Sequence, residues 1–106
     1  MALMMLMKKI AKHVSYKITK KENNMKILKF YADWCGPCKM LSKIIETIKE
    51  EIPFEIEEID VDNNSIMATK YNIRALPTMV IVDGETEVKR HIGNMTRAQV
   101  KKFVKL

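Results

Sequence analysis

Both cysteines of this 106-residue chain fall in one stretch, Trp34-Cys35-Gly36-Pro37-Cys38. Thiols at this spacing can close a small disulfide within one helical turn, where their Cβ atoms come within about 4.5 Å. At a helix N-terminus, Cys35 would meet unpaired backbone N–H groups and the positive end of the helix dipole, which favour a thiolate. Cys35 is therefore the candidate nucleophile, and Cys38, one turn further in, is the shielded thiol that acts second. Pro37 suits the first turn, where its missing N–H would have no partner, and Gly36 lets the backbone bend and a substrate come close. The competing readings are a structural thiol pair and half of a zinc site. Zinc needs about four ligands, and only His13 and His91 remain, at unrelated spacings, so no metal is expected and neither histidine is assigned a role.

The elements that must hold these thiols are legible in the apolar pattern. Met40, Leu41, Ile44, Ile45 and Ile48 recur between polar residues, which predicts a helix with one buried face ending near Glu50. Ahead of it, Met25 to Ala32 reads as a central strand buried on both faces, interrupted by Lys29. Phe54 to Asp62 reads as a second strand, with Phe54, Ile56 and Glu58 on one face. A short helix from Asn63 to Tyr71, capped by Asp62 or Asn64, stops at Asn72, which tolerates a left-handed backbone. Strands from Met79 to Val82 and from Thr86 to Ile92 join at Asp83-Gly84, a hairpin signal. A last helix starts at Thr96, with Gln99 completing a capping box, and buries Val100, Phe103 and Val104.

The Trp-Cys-Gly-Pro-Cys stretch resembles the active site of the thioredoxin family letter for letter, and Arg74-Ala75-Leu76-Pro77-Thr78 resembles its second signature at the usual separation. The resemblance covers about residues 25 to 104. It implies an α/β thioredoxin fold, a central mixed sheet of four strands (five if the first segment supplies one) flanked by helices on both faces. It implies a cis Pro77 packed against the active-site disulfide, with Leu76 offering backbone groups to an extended substrate. It also implies a docking surface of Trp34, Gly36, Pro37, Leu76, Pro77 and Gly93. The expected activity is that of a thiol–disulfide oxidoreductase that reduces protein disulfides through a redox-active Cys35–Cys38 bond, with no bound cofactor. The expected partners are disulfide-containing proteins and an NADPH-dependent thioredoxin reductase. A glutaredoxin-like enzyme recharged by glutathione and a binding module without turnover are the alternatives.

Two positions depart from the family. Many thioredoxins carry a helix-kinking proline where this chain has Lys43, so a straighter helix is expected. Six residues before the first cysteine the family typically has a buried aspartate, thought to take the proton of the second cysteine, and here stands Lys29. A lysine in such a strand must lose its proton, find a carboxylate or reach water. Glu58 lies where thioredoxins commonly carry a lysine, so the expectation is an exchanged pair, Lys29 with Glu58, tuning the thiols. A snorkelling Lys29 and a neutral Lys29 acting as a base are the other readings.

Composition bounds the rest. The chain reads as one domain, residues 1–24 a basic leader and 25–106 the redox core, with 47% hydrophobic residues for an ordinary interior. Of the net charge of +6, residues 1–24 hold +5, leaving +1 for the core. Without aromatic interleaving, that basic segment predicts no nucleic-acid site. Leu3, Met7, Ile10, Val14 and Ile18 fall at helical spacing, which predicts an amphipathic helix over about 3–18. Met1 to Met7 has no preceding charge or cleavage site and is too short to span a membrane, so neither a signal peptide nor an anchor is expected. Two cysteines in one motif point to a reducing, cytoplasmic setting, and a monomer is expected.

Overall fold

A computed structural model describes residues 24–106. The expected leader helix over 3–18 and His13 lie outside the described residues. Strand β1 (Met25–Tyr31) is followed by helix α1 (Gly36–Ile48), a 3₁₀ turn (Lys49–Glu51), β2 (Glu55–Asp60), α2 (Ser65–Lys70), β3 (Thr78–Asp83), β4 (Thr86–Ile92) and α3 (Arg97–Phe103).

Among the described residues the strands form one mixed sheet in the order β2-β1-β3-β4. β1 pairs parallel with β2 and antiparallel with β3, and β3 pairs antiparallel with β4. The two central strands carry the apolar runs because both their faces are covered. On one face Ile27, Met79 and Ile81 pack with Leu41, Ile45 and Ile48 of α1 and with Val100 and Phe103 of α3. On the other, Leu28, Phe30, Val80 and Val82 pack with Ile59, Tyr71 and Met67, the last from α2. Successive β1 side chains alternate faces. Lys29 therefore shares the α1 side with Ile27, and Phe30 crosses to the α2 side.

The ends of the elements follow local chemistry. Thr96 and Gln99 form both halves of a capping box at α3. The Asn64 side chain accepts from the Met67 N–H and caps α2, which settles the choice against Asp62. Asn72, past the end of α2, has φ +52°. At the β3–β4 hairpin the two turn residues are Gly84 and Glu85 rather than Asp83 and Gly84. Gly84 sits first in the turn with φ +67°, the position a type II′ turn gives to glycine. α1 runs uninterrupted through Lys43. Met40, expected on its buried face, is 59% exposed, because Leu41, Ile45 and Ile48 already fill the narrow stripe that faces the sheet.

Candidate active site

β1 ends at Tyr31, and the chain passes through Ala32, Asp33 and Trp34 into α1, so the cysteines stand at the C-terminal edge of a central strand, where open α/β sheets place their sites. Cys35 is the N-cap of α1 in an extended conformation, and its Sγ accepts a hydrogen bond from the Cys38 N–H at 3.1 Å. That N–H is one of the donors a helix start leaves unpaired, and here it aims at the sulfur of the N-cap residue. The Cys35 N–H is held by the Ala32 carbonyl at 3.1 Å, which fixes the turn. Cys35 and Cys38 form a disulfide with a Cα–Cα distance of 5.3 Å. Both are buried, with Ala32, Tyr31, Val61 and Leu76 around them.

The Leu76–Pro77 peptide is cis, and the Pro77 carbonyl accepts from the Gly93 N–H at 2.8 Å. This bond brings the loop after β4 beside the turn before β3. Gly93 has φ +100°, which favours glycine. Gly36 has no such requirement: a Cβ there would meet nothing within 4 Å. The expected role of Gly36 in bending the backbone is therefore corrected, because this position is an ordinary first helical residue. A side chain there would project into open space beside the groove that Gly36 lines.

A groove of about 500 Å³ runs past the disulfide, lined by Trp34, Cys35, Gly36, Pro37, Arg74 and Leu76 among others. Pro77 and Gly93 are outside that lining. Trp34 is 70% exposed, yet its indole Nε1–H donates to Asp62 at 2.8 Å, so a large apolar surface is held in a fixed orientation. The sequence offered Asp62 only as a possible cap of α2, and its hold on Trp34 was missed.

Lys29 is buried, 1% exposed. It does not reach water: its Nζ donates to Ser42 Oγ at 2.6 Å, lies 3.4 Å from Glu58 Oε1 and stands 5.4 Å from the centre of the Tyr31 ring. The register that puts Lys29 opposite Glu58 is the parallel β1–β2 ladder. Ser42 was also missed, although its spacing of four from Cys38 places the two on one helix face. The Tyr31 phenol is pushed above its ordinary value by desolvation, and further by the carboxylates of Asp60, Asp33 and Glu58. His91 packs edge-on against Phe103 and faces the Asn94 carbonyl. Among the described residues no three His, Cys, Asp or Glu side chains are grouped to hold a metal, and no helix is long and apolar enough to cross a membrane.

A dithiol/disulfide pair at a helix start, beside a cis-proline turn on a mixed sheet, defines the class of protein as a thiol–disulfide oxidoreductase. Comparison with known proteins specifies the family. The family model described as Thioredoxin matches residues 7–106. A thioredoxin of Chlamydia trachomatis is 35% identical over 68 residues, 63% of this chain and 67% of that protein. A bifunctional thioredoxin reductase/thioredoxin of Mycobacterium leprae is 36% identical over 78 residues, 72% of this chain and 17% of that longer protein. The structure of a mutant thioredoxin from Halobacterium salinarum superposes with a TM-score of 0.69 at 33% identity, covering 84% of this chain and 81% of that one. The chain belongs to the thioredoxin family.

Proposed function

We propose that this protein reduces disulfides in other proteins, cycling between the Cys35–Cys38 dithiol and disulfide. The observation that carries the reading is Cys35 as the N-cap residue of α1, its sulfur met by the Cys38 N–H beside an open groove. In the reduced state the Cys35 thiolate attacks a substrate disulfide in line, forming a mixed disulfide and expelling one substrate thiolate. Cys38 then attacks Cys35 Sγ, the bond from Cys35 to the substrate breaks, and the second substrate sulfur leaves as a thiolate that takes up a proton. Two electrons pass from the dithiol to the substrate.

The groove supports a docking role for Trp34, Gly36, Pro37 and Leu76, and Pro77 and Gly93, outside its lining, hold the Leu76 turn through the bond from the Gly93 N–H to the Pro77 carbonyl. Leu76, beside the disulfide, would pair its backbone with an extended substrate segment. The electron donor in this reading is an NADPH-dependent thioredoxin reductase. The name of the Mycobacterium leprae relative, which joins both functions in one chain, supports it. A monomer acting in the cytoplasm fits a chain whose cysteines all belong to one motif. Lys29 tunes the couple: an ammonium near the thiols stabilises the thiolate and so the reduced form, which makes a weaker reductant than a carboxylate at that position would.

The test is turnover of insulin disulfides with NADPH and thioredoxin reductase, run in parallel with glutathione and glutathione reductase. Turnover with the first and not the second is expected, with loss in Cys35→Ser. Turnover only with glutathione would establish the glutaredoxin-like alternative. Tight binding of disulfide proteins without turnover would establish a binding module.

A further inference from the structure

The resolving step needs a base, and the residues around Cys38 limit where one can stand. A thiol attacks only as its thiolate, and Cys38 is 1% exposed, so its proton cannot pass directly to bulk water. A cavity of about 260 Å³ touches Cys38 and shares no lining residue with the substrate groove; it is lined by Tyr31, Asp33, Lys39, Ser42 and Glu58 as well. Its volume is ample for several waters, and its lining offers them polar partners. A second cavity of about 360 Å³, lined by Lys29, Ser42, Lys43, Glu46, Lys49 and Glu58, shares Ser42 and Glu58 with it.

The charged and titratable groups of this region sort themselves. The lysines supply donors rather than acceptors: Lys29, Lys43 and Lys49 line only the second cavity, and Lys39 only the first. Tyr31 holds its proton above its ordinary range, through desolvation and the neighbouring carboxylates, so at neutral pH it is no acceptor. Glu46 lines only the second cavity and faces Lys49 at 3.5 Å. Asp33 and Glu58 remain. Lys29 anchors Glu58 at 3.4 Å while holding Ser42 at 2.6 Å, which places that carboxylate at a fixed point of the cavity wall. The Glu58 side chain is also 55% exposed, so it faces both the cavity and the solvent.

We propose that Glu58, positioned by Lys29, receives the Cys38 proton through water in this cavity and passes it to solvent. The inference rests on the disulfide-reductase reading and adds to Lys29's tuning a separate route for the proton. The step balances: the S–H bond of Cys38 breaks, the proton travels along water to the Glu58 carboxylate, and the electron pair left on Cys38 Sγ forms the bond to Cys35 Sγ. The substrate sulfur leaves with the pair of its broken bond.

The experiment mixes the reduced protein with an aromatic disulfide in a stopped-flow instrument. One coloured thiolate is released as Cys35 attacks and a second as Cys38 resolves. In Glu58→Gln the first phase should keep its rate and the second should slow by about 10²-fold, the low end of what a general base contributes. The residual second phase should then rise with hydroxide concentration, acetate in the buffer should accelerate it, and Glu58→Asp should run close to wild type. Asp33→Asn should leave both phases unchanged. A wild-type second phase in Glu58→Gln would overturn the proposal, as would a slow phase that acetate and pH do not move, or a loss seen in Asp33→Asn instead. If the wild-type protein shows no first phase, the disulfide-reductase reading itself fails, a different result from any of these.

Discussion

Lys29 and Glu58 face each other across the parallel β1–β2 ladder, Nζ to Oε1 3.4 Å, with the lysine buried and the carboxylate half in water. The buried member is thus the lysine, on the sheet face that α1 covers, and its second partner is a helix hydroxyl, Ser42. An ammonium near the cysteines shifts the thiol equilibrium towards thiolate. Lys29→Asp should therefore raise the thiol pKa values and make the reduction potential more negative, on the order of 30 mV for a tenfold change in the two-electron equilibrium. Thiol titration and redox equilibration against glutathione measure both. No movement in either would end this account of Lys29.

Replacing a buried charge by an apolar side chain of similar volume is often neutral or stabilising, because the desolvation cost disappears with the charge. Lys29→Met leaves behind Glu58, which is exposed enough to be solvated by itself. Urea unfolding should therefore show Lys29→Met within about 1 kcal/mol of wild type, or above it. A loss of several kcal/mol would mean that the Ser42 and Glu58 contacts carry the sheet's stability.

Asp62 holds the indole of Trp34 by a hydrogen bond of 2.8 Å. Asp62→Ala should free a ring that is 70% exposed, so a substrate must then order it on binding. KM for insulin should rise severalfold with kcat little changed, since ordering one rotamer-rich side chain costs about 0.5–1.5 kcal/mol. Trp34 is the only tryptophan, and its fluorescence anisotropy should fall in the variant.

Arg90 grips Glu87 with two bonds, 2.7 and 2.8 Å, and donates a third to the Tyr71 carbonyl at 2.7 Å, tying β4 to the end of α2. The bond from Arg90, more than its charge, holds the Glu87 carboxyl below its ordinary value. A depressed carboxyl contributes stability that is present above the unfolded-state value of 4.5 and is lost as pH falls through the lower folded-state value. Both side chains are partly exposed, so the contribution is about 1 kcal/mol or less. Glu87→Gln should flatten the acid limb of the stability curve by that amount and leave stability above pH 7 lower by the same.

Much of this site could be read before the fold was seen. The helix start at Cys35, the hairpin, the α3 capping box and the apolar central strands all follow from local chemistry, which a sequence displays. The pairing of Lys29 with Glu58 was legible only through the family resemblance, which puts Glu58 where thioredoxins commonly carry a lysine; the parallel register then sets the two residues side by side. Ser42 and Asp62 were not legible, since a serine on a helix and an aspartate in a loop acquire meaning only from what tertiary packing brings against them. Met40 misled because apolar composition marks a helix face without marking its width. Gly36 was given a backbone role by its residue type, although that position is an ordinary helical one.

The central claim is that Cys35, as the N-cap residue of α1, is a stabilised thiolate able to exchange its bond with Cys38. The most direct measurement is the rate of iodoacetamide labelling of the reduced protein across pH, with the modified residue identified by peptide mapping. Cys35 should be labelled well before Cys38, with a midpoint clearly below the ordinary thiol value of about 8.5. Labelling of Cys35 no faster than free cysteine near neutral pH, with no internal disulfide formed on oxidation, would contradict it.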